Sequence, residues 1–222
     1  MHWYKTSLGK KYIMAVTGLT MVAFLIVHML GNLSVYIGPG ALNLYAAKLH
    51  ELTPLLWSFR AVMLALALLH ICTGSALYLQ NRKARPVGYA RKNSVKSSFA
   101  AENMVWTGLL LGAFIIYHLL HFTLRVVNPE ISHFIDAVGR PDIFRMVASS
   151  FQKTGISITY LIAMGILLLH LYHGIQSFFQ SLGWSNGKTL PIIEICGRTV
   201  AFLLLFGFAS IPLTILIGIL NK

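Results

Sequence analysis

The sequence is short of charged residues, and of acidic residues most of all. Only 11% of its 222 residues are charged, with six Asp and Glu against 18 Lys and Arg. Soluble domains usually carry about 25% charged residues. Together with 56% hydrophobic residues and a mean hydropathy of +0.70, this shortage excludes an ordinary soluble domain and indicates an integral membrane protein.

Cysteine is almost absent as well. Cys72 and Cys196 are the two cysteines, and both lie in apolar segments, so a disulfide framework is not indicated. The sequence contains no C-x-x-C-H motif, which excludes a covalently attached c-type haem. We expect both cysteines to be packing residues.

Long apolar runs are abundant, and five of them are long enough to cross about 30 Å of hydrocarbon as helices. The first run carries no small-residue cleavage pattern, so we interpret it as a retained helix and not as a cleaved signal peptide. The sequence predicts one all-α integral membrane domain over residues 1–222. Its five transmembrane helices are expected at about 12–37, 54–80, 103–127, 155–181 and 194–220.

The basic residues are concentrated on one side of these spans. Segments 1–11, 82–102 and 182–193 carry Lys5, Lys10, Lys11, Arg82, Lys83, Arg85, Arg91, Lys92, Lys96 and Lys188. By the positive-inside rule this side, with the N-terminus, faces the cytoplasm. The net charge of +12 therefore indicates membrane orientation and no nucleic-acid partner. The basic loop 82–102 is also a candidate docking surface for a soluble partner or anionic membrane lipid.

Four histidines recur at similar positions in the first four helices. His28, His70, His118 and His170 each lie about two-thirds of the way along a predicted span. Because the helices alternate in direction, His28 and His118 fall near the outside and His70 and His170 near the cytoplasm. Two stacked bis-histidine haems, roughly 10 Å apart along the normal, would need this arrangement. For any single histidine, an interhelical hydrogen bond is the plain alternative.

The motif H-x-x-H occurs twice, at 118–121 and 170–173, and raises the alternative of a non-haem metal site. The two motifs lie at opposite depths, and no carboxylate or cysteine accompanies either of them, which disfavours zinc or di-iron. Depth alone does not choose between the two histidines of each motif, because three residues advance a helix by only about 4.5 Å.

Three stretches of the chain resemble a known family, the di-haem cytochrome b membrane anchors of succinate:quinone oxidoreductases. These enzymes comprise the succinate dehydrogenases and the quinol:fumarate reductases. The stretches read SLGKKYIMAVTGLTMVAFLIVHMLGNL, LLHICTGSALYLQNRKARPVGY and LLLHLYHGIQSFFQSLGW, and the resemblance extends over essentially the whole chain.

The resemblance implies a function in a bacterial inner membrane. Two haems b and a quinone, usually menaquinone, are the expected cofactors. A flavoprotein subunit and an iron–sulfur subunit are the expected partners on the cytoplasmic face, and the whole complex can dimerise. The chain itself would relay electrons, and no residue in it is expected to be catalytic.

The family motifs also imply ligands. His28 and His118 would hold the haem distal to the soluble subunits, and His70 and His170 the proximal one. The family spacing H-x3-G selects His170 over His173, and the same comparison favours His118 over His121. His121 and His173 then become neighbours of the haems within the cofactor site.

Other positions are weaker candidates. Haem propionates need basic or hydroxyl partners, for which the candidates are Arg60, Arg125, Arg82, Tyr89 and Lys188. Glu51, with His50 beside it, is a candidate for quinone-linked protonation. One branch of the family places a glutamate where this chain has Leu168, so a proton route through that position is in doubt.

Two other classes of function remain open. The chain could anchor a different quinone-linked oxidoreductase, such as a hydrogenase or a formate dehydrogenase. It could also be a haem-free transporter or scaffold.

Overall fold

The computed structural model describes residues 2–84 and 99–220, and its regular secondary structure is helical. Five helical segments are long and apolar enough to cross a membrane, which confirms the predicted all-α membrane bundle. In chain order the helices are α1 (Ser7–Leu33), α2 (Pro39–Glu51), α3 (Thr53–Lys83), α4 (Phe99–Glu102), α5 (Met104–His118), α6 (Ile143–Gln152), α7 (Thr154–Ser181) and α8 (Leu190–Leu216). We call the end at which α1 begins the N-terminal end and the other the opposite end.

Local sequence signals define where several helices begin. The Thr6 side chain accepts a hydrogen bond from the Gly9 amide at 3.0 Å and so caps α1. Asp142 caps α6 in the same way, through the Arg145 amide at 3.0 Å. Helices α2, α3 and α8 carry a proline in their first turn, where its missing N–H would have no partner in the helix.

The segments 38–53 and 128–154, which connect predicted spans, each contain a helix that was not predicted from the sequence. Helix α2 has 13 residues and α6 has 10, so neither is long enough to span a bilayer. Helix α6 buries Phe144, Val147 and Phe151 on one face against the ends of the spans. Short amphipathic helices of this kind lack the long apolar run by which spans are recognised.

The third span ends earlier than the predicted residue 127. Helix α5 ends at His118 and is followed by a π-helical turn over Leu119–Thr123. Arg125 then adopts a left-handed conformation, with φ of 56°, which stops the helix. The wider π turn places His121 in the protein interior, where it is completely buried.

Two cores hold the bundle together. Helices α7 and α8 enclose Ala163, Met164, Leu167, Leu171, Ala201 and Leu204, and a second core at the opposite end surrounds Tyr160. Cys72 and Cys196 are exposed on the outside of the bundle, so the prediction that they are packing residues was wrong. Both lie on faces of membrane-spanning helices that the chain itself does not cover.

Most of the basic loop between the second and third spans, including Tyr89 and the candidate docking surface, lies outside the described residues. At the same end, Arg198 pairs with Glu194 at 3.3 Å.

Candidate functional site

The structure brings the four repeated histidines together as two pairs. Towards the N-terminal end, the rings of His70 on α3 and His170 on α7 have centroids 6.4 Å apart. Towards the opposite end, the rings of His28 on α1 and His118 on α5 have centroids 5.9 Å apart. We call these the N-terminal layer and the opposite layer. These are the same two pairs that the positions of the histidines along the predicted spans indicated. Each of the four helices contributes one histidine.

The two layers are further apart along the helices than the sequence predicts. Thr17, which touches His70, precedes His28 by eleven residues on α1. Eleven residues of helix span about 16 Å, against the roughly 10 Å expected. The expectation treated each histidine as lying at two-thirds of a span of uniform length, whereas α3 begins and ends beyond its predicted bounds.

The separation within each pair fits two ligands on opposite sides of one metal. Two metal–nitrogen bonds of about 2 Å, with about 1 Å from each nitrogen to its ring centre, put such centroids about 6 Å apart. All four histidines are only partly buried. Among the described residues, no three or more His, Cys, Asp or Glu are grouped to hold a metal. Haem supplies four nitrogen ligands of its own, so two imidazoles from the protein are enough to complete the coordination of its iron.

His118 begins a hydrogen-bond chain that runs into α6. The Tyr160 hydroxyl lies 3.4 Å from His118 Nδ1 and 3.1 Å from His121 Nδ1, and His121 Nε2 lies 3.2 Å from Ser150 Oγ. Ser150 donates its own hydrogen to the Met146 carbonyl at 2.7 Å. Its oxygen must therefore accept from His121 Nε2–H, so His121 Nδ1 accepts from Tyr160 and Tyr160 accepts from His118 Nδ1–H.

This chain separates the roles of the two histidines in the first H-x-x-H motif. Both ring nitrogens of His121 are occupied, and the residue has no exposed surface. His118 keeps Nε2 free and faces His28. In the second motif, His170 faces His70, whereas His173 is partly buried and makes no hydrogen bond to a described residue.

His28 is held by an aromatic wall and one amide. Phe24 stacks on its ring with centroids 5.2 Å apart, and Phe208 lies 5.8 Å away. The Asn32 amide nitrogen lies 3.3 Å from His28 Nε2 and donates to the His28 carbonyl at 2.7 Å. The opposite layer is therefore lined mainly by aromatic rings.

Two threonines at the N-terminal layer were not predicted from the sequence. Thr17 Oγ1 lies 2.9 Å from His70 Nδ1, and Thr107 Oγ1 lies 3.1 Å from His170 Nδ1. An internal repeat would have revealed them: residues 14–28 and 104–118 share the pattern M-x2-T-G-L-x3-A-F-x3-H. Tyr160 and Ser150 were also missed, and no local signal marks them.

The opposite end carries three neighbouring basic groups. Burial, followed by the charges of Arg60 and Arg125, lowers the pKa of His50 below 6.5. Burial and the charge of Arg60 likewise lower the pKa of Arg125. Neither guanidinium pairs with an acid in the described part of the chain, and Arg60 lies over the Trp57 ring at 4.9 Å. Arg60 and Arg125 are both partly buried, and we call them the cationic group. Such a group can bind an anion.

The remaining candidates lie on the surface. Glu51 is exposed and pairs with Lys48 at 2.9 Å, beside His50 at the end of α2. At the N-terminal end, the side chains of Arg82 and Lys188 are also exposed. The structure shows no ring or acid of the described chain in contact with either of these two residues.

Comparisons with known proteins identify no relative. No protein-family model, no curated protein and no solved structure matches this chain.

Proposed function

We propose that this chain is the di-haem cytochrome b membrane anchor of a succinate:quinone oxidoreductase. It would pass electrons between an iron–sulfur partner at the N-terminal end and a quinone, usually menaquinone in the family it resembles. The observation that carries the proposal is the pairing of four histidines from four helices in two layers, with ring centroids about 6 Å apart. The resemblance of three sequence stretches supplies the enzyme class.

The residues suit a relay and not a site that binds oxygen. Two imidazoles on one iron leave no open coordination position, and haem bound in this way exchanges single electrons. His28 and His118 would hold one iron, and His70 and His170 the other. The aromatic wall of Phe24, Phe208 and Phe114 would exclude water from the opposite layer.

The cationic group at the opposite end supports haem in the nearer layer. Haem carries two propionates, and a membrane-embedded carboxylate needs a charged or hydrogen-bonding partner. Arg60 and Arg125 lack an acidic partner in the described chain, so they are available for this role. Glu51 stays a candidate for proton exchange with a quinone, but its ion pair with Lys48 places it outside the histidine layers.

Spectroscopy on the purified full-length chain, expressed with its genomic neighbours, tests the proposal. We expect a reduced b-type spectrum and two haems per chain. His28→Ala, His70→Ala, His118→Ala and His170→Ala should each lose one haem. Absence of haem from the unmodified protein would overturn the proposal in favour of a haem-free scaffold.

The copurifying partners separate the enzyme classes. We expect a flavoprotein and an iron–sulfur protein, with haem reduction on addition of succinate. Copurification with a hydrogenase or formate dehydrogenase subunit, with haem reduced by hydrogen or formate instead, would replace this enzyme class and leave the di-haem assignment intact.

A further inference from the structure

The first four spans form two equivalent halves. Residues 14–28 of α1 match residues 104–118 of α5 in the pattern M-x2-T-G-L-x3-A-F-x3-H, and residues 68–80 of α3 match residues 168–180 of α7 in the pattern L-L-H-x3-G-x5-Q. Each half is therefore an outward and a returning helix with one histidine on each. A feature present in both halves is the same local arrangement seen twice in one chain.

One such feature is the contact between a threonine and the histidine of the returning helix. Thr17 reaches Nδ1 of His70 at 2.9 Å, and Thr107 reaches Nδ1 of His170 at 3.1 Å. Both threonines are buried.

The direction of the threonine hydrogen bond follows from the helix. Thr17 donates its hydroxyl hydrogen to the Ile13 carbonyl at 2.7 Å, and Thr107 donates to the Asn103 carbonyl at 3.1 Å. A hydroxyl has one hydrogen, so each oxygen accepts from the histidine Nδ1–H. Nε2 of His70 and of His170 then carries a lone pair, the form that binds a metal.

The glycine after each threonine lets the imidazole approach the helix. A Cβ at Gly18 would lie 3.2 Å from Cε1 of His70, and one at Gly108 would lie 3.3 Å from Cε1 of His170. Both distances are shorter than ordinary van der Waals contact. Each T-G pair therefore provides a hydrogen-bond acceptor and a flat surface against which the ring is held.

The opposite layer has no such arrangement. His118 donates to a tyrosine that is itself part of a longer chain, and His28 has an amide and two phenylalanine rings. Threonine contacts thus distinguish the N-terminal layer from the opposite layer.

We propose that Thr17 and Thr107 are positioning residues that set the tautomer, the orientation and the basicity of the two imidazoles in the N-terminal layer. The inference rests on the proposed di-haem function. The hydrogen bond from Nδ1–H to the threonine oxygen raises the basicity of the ligating nitrogen. A more basic ligand stabilises the oxidised metal, so the two hydroxyls lower the reduction potential of the haem held there.

The test is a redox titration of both haems in the full-length protein with its partners. Thr17→Val and Thr107→Val remove the hydroxyl at nearly constant shape, and Thr17→Ser and Thr107→Ser restore it. Thr20→Val is the matched control, because Thr20 makes the same bond to the carbonyl four residues earlier, at 2.9 Å, and touches no histidine. His70→Ala and His28→Ala show which of the two transitions in the titration comes from the haem of which layer.

We expect each valine variant to raise the potential of the N-terminal haem alone. The expected size is roughly a tenfold rise in the ratio of reduced to oxidised haem at fixed applied potential, which corresponds to about 59 mV for one electron. The serine variants should return to the unmodified value. Loss of this haem in the valine variants, with retention in the serine variants, would also support the role of the hydroxyl.

Three outcomes would overturn the inference. One is an unchanged potential in both valine variants relative to Thr20→Val. The second is an equal shift of both haems, and the third is loss of haem in serine and valine variants alike, which would indicate packing by the methyl group. Any of these leaves the di-haem function standing if the unmodified protein binds two haems, whereas an unmodified protein without haem overturns both.

Discussion

The Tyr160 hydroxyl on α7 lies 3.1 Å from Nδ1 of His121, in the π turn that follows α5. Because the Ser150 hydrogen is committed to the Met146 carbonyl, Tyr160 must be the donor of this bond. The tyrosine therefore connects the paired histidine His118 with a fully buried histidine that faces no open space.

Tyr160→Phe should destabilise the protein by about 1–3 kcal/mol, because it leaves the buried Nδ1 of His121 without a donor. Thermal unfolding in detergent measures the change. Tyr117→Phe is the control, since Tyr117 packs against both Tyr160 and His121 through its ring and makes no hydrogen bond to a described residue. Equal stability of the two variants would show that the hydrogen-bond chain contributes little.

Substitution of the second H-x-x-H motif should separate its two histidines. We expect His170→Ala to lose one of two haems, since His170 faces His70 across the N-terminal layer. His173→Ala should retain both. Haem-to-protein ratio and the reduced spectrum are the measurements, and loss of haem from His173→Ala alone would assign the ligand to the other histidine.

The cationic group at the opposite end should retain haem through charge. Arg60→Gln and Arg125→Gln are each expected to weaken haem retention in the opposite layer severalfold, with a larger effect in the double variant. Arg198→Gln, at the N-terminal end and paired with Glu194, is the control. Haem loss during dialysis against apomyoglobin gives the rates, and identical rates for all of these variants would rule out propionate binding by these arginines.

His50 should make stability depend on pH. Burial and two nearby arginines lower its pKa in the folded protein, so the unfolded chain binds a proton first as the pH falls. The folded state therefore loses stability as the pH falls through about 6.5 towards the lowered pKa. His50→Gln should reduce the loss of thermal stability between pH 7.5 and 5.5. Arg60→Gln should raise the pKa of His50, and an unaltered pH dependence in both variants would contradict the prediction.

The two short helices should depend on Asn43. Its buried amide donates to Asp142 at 3.0 Å and accepts from the Phe144 amide at 2.9 Å, which joins α2 to the start of α6. Asn43→Ala should cost about 1–3 kcal/mol in the same unfolding experiment, because the Phe144 amide loses its partner. Gln80→Ala, an exposed amide, should change stability by less than about 0.5 kcal/mol.

The sequence predicted those features that depend on long-range pattern along one chain. Five apolar runs indicated the spans, and alternating helix direction indicated the pairing of His28 with His118 and of His70 with His170. Short helices such as α6 were not predicted because their apolar residues lie on one face and form no long apolar run. The third span ends at the π turn, just before the left-handed conformation of Arg125, which no residue preference predicts.

Side-chain networks were predicted less well. The role of His121 depends on Tyr160 and Ser150, which are 39 and 29 residues away in sequence. Thr17 looks like any helical threonine bonded to its own backbone until the returning helix brings His70 against it. The repeat in which Thr17 and Thr107 occupy equivalent positions was the one readable sign of their importance.

In each layer, a histidine faces the histidine at the equivalent position of the other half: His28 faces His118, and His70 faces His170. Equivalent residues meet in the same way across the interface of a two-fold symmetric dimer. A single helical hairpin with one T-G pair and two histidines would complete both layers by associating with a copy of itself. The chain has the arrangement of such a dimer fused into one polypeptide, in which matching positions can diverge. Gly31 stands where the second half has His121, and Thr73 stands where it has His173. Fusion thus permits asymmetry that a true homodimer could not encode.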